Sequence, residues 1–398
     1  MDIAKIRADF PPLENFVWFQ NGGVSITPAP VAETHSGLMR ELFERGPMHI
    51  AFPDEEIPRR RRTKERLGRF FGVGAGDLAL MRGVSEAFQT VVRGIDWEAG
   101  DRILITEEEE VALLLPCLHL RDLYGVLVDR APLVDDADGQ VEAVVDRITG
   151  RTRLIGLSHV NTDSGYRLPA ERICAAARER GIITFLDTAH SAGLYRMDLN
   201  ELGCDFAGIL SYKWMYSPYA AGALFARRES RDRIRVTYAG GRAQAWVDFR
   251  NGRFGLKEDA ERFEFGPWSW PLVHAWASAA EYLAAIGLDA IWARTVALTT
   301  RLKQGLIEIP GVRVFTPLSA ELSAALVGFE MAGWRPPDVR DALRRRWRID
   351  LKAFETTRPG LRASVPFFLE EHEIDLLLEA LATLAAEGPG CLPESGQG

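Results

Sequence analysis

GIITFLDTAHSAGLYRMDLNELGCDFAGILSYKWM, residues 181–215, is the stretch whose reading decides the fold. The apolar run Ile182-Ile183-Thr184-Phe185-Leu186 is too short and too β-branched for a helix, so it predicts a buried parallel strand ending at Asp187. A second run, Phe206-Ala207-Gly208-Ile209-Leu210, predicts another strand, which ends in Ser211-Tyr212-Lys213-Trp214. An acid and an amine therefore stand at the carboxyl ends of two strands, and in open α/β sheets that edge binds ligands.

Taken singly, Asp187 reads as a helix cap and Lys213 as a solvated lysine. Together and in this order they suggest pyridoxal phosphate, which a lysine holds as a Schiff base while an acid keeps the pyridine nitrogen protonated. The segments DTAHSAG (187–193), LGCDF (202–206) and SYKW (211–214) follow one another as D-x-A-[QH]-x-x-G, a G-C-D-F-like turn and a lysine followed by an aromatic. In this the chain resembles the class V aminotransferase family of fold type I pyridoxal phosphate enzymes, which includes cysteine desulfurases, kynureninase and isopenicillin N epimerase. The resemblance implies that Lys213 is the Schiff-base lysine, Asp187 the pyridinium partner, and His190 a neighbour of the cofactor's phenolic oxygen.

The chain's 398 residues, 47% of them hydrophobic, suffice for a large core and for two or more domains. A formal charge of −8 argues against a nucleic-acid surface. Its basic run, Arg59 to Arg62, precedes Leu67, Phe70 and Phe71 at helical spacing and reads as a solvated helix face. Cys117, Cys174, Cys204 and Cys391 are scattered without metal or C-x-x-C spacing, so neither a disulfide framework nor a metal site is expected. The start, MDIAKIRADFPPL, reads as a short helix closed by prolines and lacks the apolar core of a signal peptide. No apolar run reaches membrane-spanning length, and a cytoplasmic location is the expectation.

Other stretches extend the resemblance. WFQNGGVS (18–25) is similar to the family's Y-L-N-N-G-G-V-G loop, which implies that Asn21 and Gly23 face the substrate. Leu78 to Met81 predicts a strand and Ser85-Glu86 the start of a helix capped by Ser85, whose N-terminal amides can cradle a phosphate. The family's R-[GN]-x-[ST]-E-A at this point implies amide contacts from Val84 and Ser85 and a hydroxyl contact from Ser85. In TEEEEVALLLP (106–116) the family pattern D-x-E-[HY] would place Glu110 where a ring-stacking His or aromatic belongs. A carboxylate cannot stack, so over the ring Glu110 would be neutral, pair with a cation or carry a proton; the alternative is a local shift that leaves all four acids serving a helix N-terminus. In SHVNTDSG (158–165) Thr162 takes the slot that hydrogen-bonds the phenolic oxygen, and Tyr212 keeps a hydroxyl for the phosphate.

SPYAAG (217–222) has fewer glycines than the family's G-P-x-G-x-G, which suggests a stiffer loop. RFEFGPWSW (262–270) resembles the segment that reaches the neighbouring subunit's phosphate, with Pro267 where Thr is expected and Ser269 as its replacement. Trp268 and Trp270 read either as pocket wall or as aromatic core. Arg362 in GLRAS (360–364) matches G-x-R-x-S, whose arginine forks onto a substrate α-carboxylate.

The expected architecture is an α/β fold of type I, with a mostly parallel central sheet flanked by helices. Residues 1–18 form an N-terminal segment against the small domain, 19–271 the cofactor domain, 272–390 a smaller α/β domain, and 391–398 a loose tail. The resemblance further implies a homodimer with its active site at the interface, acting on the Cα or Cβ of an amino acid. The stretch IDLKAFETTR (349–358) holds no cysteine, which argues against the persulfide route of desulfurases. The expected activity is a C–S β-lyase on a cysteine conjugate. Epimerisation, oxygen-dependent decarboxylation and deamination in a natural-product pathway, and transamination are its alternatives, with a non-catalytic relative of the same fold behind them.

Overall fold

The two apolar runs flanking the 188–205 segment do form neighbouring parallel strands, Ile183–Asp187 and Phe206–Leu210, with Asp187 paired to Gly208. The computed structural model describes residues 1–356 and 358–389; the expected tail, with Cys391, lies outside them. The strands belong to a seven-stranded sheet whose order across is Leu78–Met81, Gly222–Ala226, Phe206–Leu210, Ile183–Asp187, Thr152–Ser158, Arg102–Thr106, Leu127–Ala131. Only Gly222–Ala226 runs against its two neighbours, so the sheet is mostly parallel, as predicted.

The central strands are buried on both faces because helices cover both. Phe88, on the helix Val84–Gly94, meets Phe185 with ring centroids 4.8 Å apart. Burying two such rings stabilises the fold by about 2 kcal/mol each. A side chain at position 208 would strike Phe185 and Val84, so glycine there lets that helix sit directly on the sheet.

A second sheet of five strands has the order Val17–Phe19, Ile349–Phe354, Gly360–Ser364, Leu326–Met331, Val312–Val314. The loop 161–168 joins it to the large sheet. Thr316 Oγ1 donates to the Ser164 carbonyl and Tyr166 bridges to Ser323. In the chain, two long helices, Trp270–Ile286 and Leu288–Ile307, precede the four strands of this sheet other than Val17–Phe19, and Glu371–Glu387 follows them. No single helix among the described residues is long and apolar enough to cross a membrane.

Some local expectations are corrected. The N-terminal helix is only Ile3–Arg7, because the first proline pair turns the chain into a short 3-10 segment, Pro11–Glu14. The basic run lies on the helix Pro53–Phe70, but only part of it is solvated. Arg61 and Arg62 are exposed, while Arg59 and Arg60 clamp the buried Glu56. One turn on, Lys64 is buried against Glu261 and Glu264, and Glu264 also accepts from the Leu80 amide at 2.9 Å and from Trp268 Nε1 at 3.0 Å. Trp270 packs in the core against His274 and under Arg60. Cys117, Cys174 and Cys204 are buried and unpaired, and burial raises each thiol's pKa, that of Cys204 to about 12.

Gly165 sits at the joint with φ +67, and an added Cβ would fall on the Leu326 carbonyl. Gly165→Ala is therefore expected to cost about 3 kcal/mol, read as a shift in the urea unfolding midpoint, from backbone strain and overlap together. A midpoint within error of wild type would show that the joint yields freely.

Candidate functional site

A cavity of about 520 Å³ opens at the carboxyl edge of the large sheet, within the size range of ligand pockets. Asp187 and Lys213 line it, and both are buried. Burial raises the Asp187 carboxyl to about 6, outweighing the attraction of Lys213 and the 2.7 Å hydrogen bond from the Ala189 amide. Burial likewise lowers the Lys213 amine to about 8, against the pull of Asp187 and Glu110. Both shifts say that desolvation is the larger effect in this chamber.

His190 refines the state of the amine. Its Nε2 lies 3.2 Å from Lys213 Nζ, and its Nδ1 accepts from Trp214 Nε1 at 3.4 Å. An indole N–H can only donate, so Nδ1 carries the lone pair and Nε2 the proton. With Nε2–H facing it, Lys213 Nζ is placed to accept once it loses its proton, a loss that burial has already eased by lowering the amine to about 8. Burial and the nearby cations push the imidazole well below its ordinary pKa, consistent with a neutral ring.

The helix Val84–Gly94 points its N-terminus into the same cavity, with Val84, Ser85 and Glu86 in the wall. The sequence expectation is corrected here: Gly83, not Ser85, occupies the cap position, with φ 153, and no side chain caps the helix. The first-turn amides are therefore open toward the cavity. Glu86 accepts from the Arg82 amide at 2.7 Å and pairs with its guanidinium. Tyr212 stacks on Tyr219 with centroids 4.5 Å apart, and both Tyr216 and Ala220 in the following turn have positive φ. The loop thus keeps a backbone shape that glycine favours while carrying side chains.

Four of the other predicted residues lie at or below this chamber. Glu110 lines the cavity and stands at the N-cap position of the helix Val111–Tyr124, where its side chain makes no capping hydrogen bond. Asn21 donates to the Lys213 carbonyl at 3.3 Å. Arg362 is fully buried, and its Nη1 donates to the Thr162 carbonyl and hydroxyl at 2.9 and 2.8 Å. Thr162 is thus engaged by the arginine and lines a second, adjoining cavity. The close approach permitted by the glycine pair occurs at Gly22, where a Cβ would meet Arg362 and Ser364, whereas a Cβ at Gly23 would meet only Gln20. Ser269 is exposed and stands outside the cavity wall, as do Trp268 and Trp270.

Sequence reasoning missed Glu109. It is half-buried and accepts from Thr106 Oγ1 at 2.7 Å, Ser158 Oγ at 2.6 Å and both backbone amides. Burial nevertheless raises its carboxyl to about 7, with Asp187 adding to the push. Arg82, Gln89, Tyr238 and Phe265 complete the cavity wall. Only Arg82 left a trace in the motifs, as the first residue of the R-[GN]-x-[ST]-E-A match.

Residues 18–377 match the family described as aminotransferase class V. The chain belongs to that family. Among its relatives, isopenicillin N epimerase of Streptomyces clavuligerus is 31% identical over 93% of this chain and 99% of its own. A probable cysteine desulfurase of Mycobacterium leprae is 28% identical over 86% and 85%. Of solved structures, the cystine C–S lyase C-DES with its reaction product cysteine persulfide superposes with a TM-score of 0.85 at 25% identity, covering 94% of this chain and 99% of that one. A lysine-to-alanine variant of C-DES with glycine covalently linked to its PLP cofactor gives 0.86 over 94% and 98%.

This class V enzyme uses pyridoxal 5'-phosphate. Its residues fit the group: a buried acid, a buried amine of lowered pKa and an uncapped helix N-terminus share one cavity of sufficient volume.

Glu109 offers a stability test. Its pKa is about 7 in the fold and about 4.5 unfolded, so its protonated form stabilises the cofactor-free protein below pH 4.5, and this contribution is lost as pH rises through 7. Glu109→Gln removes that dependence. Relative to wild type, its urea-unfolding free energy is expected to rise between pH 4.5 and 7; a difference that stays flat would place the folded pKa near the ordinary value.

Proposed function

We propose that this enzyme is a C–S β-lyase acting on a cysteine conjugate. The observation that carries the reading is the Lys213–His190 contact, which favours the free amine beside Asp187 in a buried chamber. Bound pyridoxal phosphate supplies an electron sink for the bond that breaks at the substrate's Cα. Asp187 would hold the proton on the pyridine nitrogen, and the open amides of Val84 and Ser85 with the Ser85 hydroxyl would hold the phosphate. Tyr212 adds a hydroxyl at the same wall. His190 would stand by the phenolic oxygen.

Arg362, with its Nε buried and without a hydrogen-bond partner among the described residues, would grip the α-carboxylate beside Asn21 and the glycine pair. Lys213 would remove the Cα proton. The electron pair of the breaking Cβ–S bond leaves with sulfur, which takes up a proton as thiol. Water then releases pyruvate and ammonia. The C–S lyase named among the similar structures supports this direction, as does the absence of cysteine from residues 349–358.

Epimerisation is the second reading, favoured by Glu110. It lines the cavity with Lys213 and gives a second proton carrier, which inversion at Cα requires. In either reading we take the molecule to be a homodimer with large and small domains near the predicted boundaries. Exposed Phe43, Phe249 and Phe254 support a partner surface, and exposed Ser269 is free to serve a second copy.

The deciding experiment is product analysis by mass spectrometry with S-substituted cysteines in deuterated, aerated buffer. Pyruvate and free thiol are expected; intact amino acid carrying deuterium at Cα would replace the lyase with an epimerase. Arg362→Lys, which loses the bidentate fork, is expected to raise KM on the order of tenfold to a hundredfold. An unchanged KM would remove Arg362 from the carboxylate site.

A further inference from the structure

The second cavity, about 270 Å³, shares Glu110 and Val111 with the first, so the two adjoin. Its far wall carries charges of both signs: Lys352, Arg358 and Arg130 against Asp163 and Glu108. These charges do not fully satisfy one another. Lys352 Nζ stands 3.8 Å from Asp163 Oδ1, and Arg358 Nη1 stands 3.6 Å from Glu108 Oε1, both beyond hydrogen-bond length.

Asp163 is only 8% exposed, yet its Oδ1 has no hydrogen-bond partner among the described residues; Thr356 holds the other oxygen at 2.8 Å. Glu108 Oε2 is likewise buried and unpartnered. A buried carboxylate oxygen left open is costly, and a cavity lined by it calls for a donor. Lys352 is placed by the sheet itself, directly across from Arg362 in the antiparallel register. Such neighbours lie roughly 5 Å apart, so a ligand held at its α-carboxylate by Arg362 reaches Lys352 over a short chain of atoms.

Resting on the reading of an amino-acid substrate, we propose that this cavity is a subsite for a second amino-acid headgroup at the substrate's far end, Lys352 taking its carboxylate and Asp163 its ammonium. The open Lys352–Asp163 pair suits such a guest. A zwitterion laid along it turns one loose ion pair into two direct, charge-assisted hydrogen bonds. An apolar substituent would strand both charges, and a substituent of one sign would satisfy one and repel the other. The substrate class that follows is a thioether- or disulfide-bridged pair of amino acids.

The test uses four ligands with the same cysteine end: lanthionine, S-(2-carboxyethyl)cysteine, S-(2-aminoethyl)cysteine and S-propylcysteine. Dissociation constants are read from the visible absorbance change of the cofactor-loaded enzyme and from calorimetry. Lanthionine is expected to bind at least about tenfold more tightly than S-propylcysteine, with the singly charged pair between them. Lys352→Met should bring lanthionine down to the level of the aminoethyl compound, and Asp163→Asn to that of the carboxyethyl compound. Equal affinities across the panel in wild type would overturn the subsite while leaving the amino-acid reading intact. No absorbance change with any of the four would overturn that reading and the subsite with it. Should either variant fail to retain cofactor, the wild-type series decides alone.

Discussion

Keeping a carboxyl and an amine together in a chamber that hydrates neither is the constraint on which this molecule depends. Asp187 rises to about 6 and Lys213 falls to about 8, so each is held near its point of ionisation by the same desolvation. The parallel register Ser158–Asp187–Gly208 brings the strand ends to one edge. Glycines at 208 and 222 let the helix Val84–Gly94 and its Gly83 turn descend onto that edge. Without those two bare backbone positions the open amides would stand too far from the acid to serve one ligand.

Much of this could be read from sequence because it is local. A short β-branched run followed by an acid, and a second followed by a lysine, state both the strands and their chemical ends. The same holds for Arg362, whose motif GLRAS is contiguous and forms one strand, Gly360–Ser364. The helix cap was misplaced by two positions, since Ser85 looks like a cap to any local rule while the unusual backbone belongs to Gly83.

What was not legible depends on register between distant strands. Four consecutive glutamates look alike in sequence, but the sheet turns Glu109 onto Ser158 and leaves Glu110 in the cavity wall. Nothing near Lys352 marks it as a neighbour of Arg362; only the hairpin pairing of their strands does so. Likewise the grip of Arg362 on Thr162 spans 200 residues and becomes visible only in three dimensions. The tryptophans at 268 and 270 stayed open for a related reason, because aromatic residues serve cores and pockets equally well until the packing is known.

The edge strand Val17–Phe19 has a further consequence. It pairs in parallel with Ile349–Leu351, and Arg7 reaches Glu373, 366 residues away. During synthesis the first strand therefore leaves the ribosome long before its partner exists, and it carries unpaired backbone for most of the chain's production. The nascent large sheet can close around Asp187 and Lys213 while the arginine that completes the site is still untranslated. Messenger truncation late in the reading frame would release a chain with a nearly finished cofactor cavity and an orphaned N-terminal strand, a species built for chaperones and proteases rather than for catalysis.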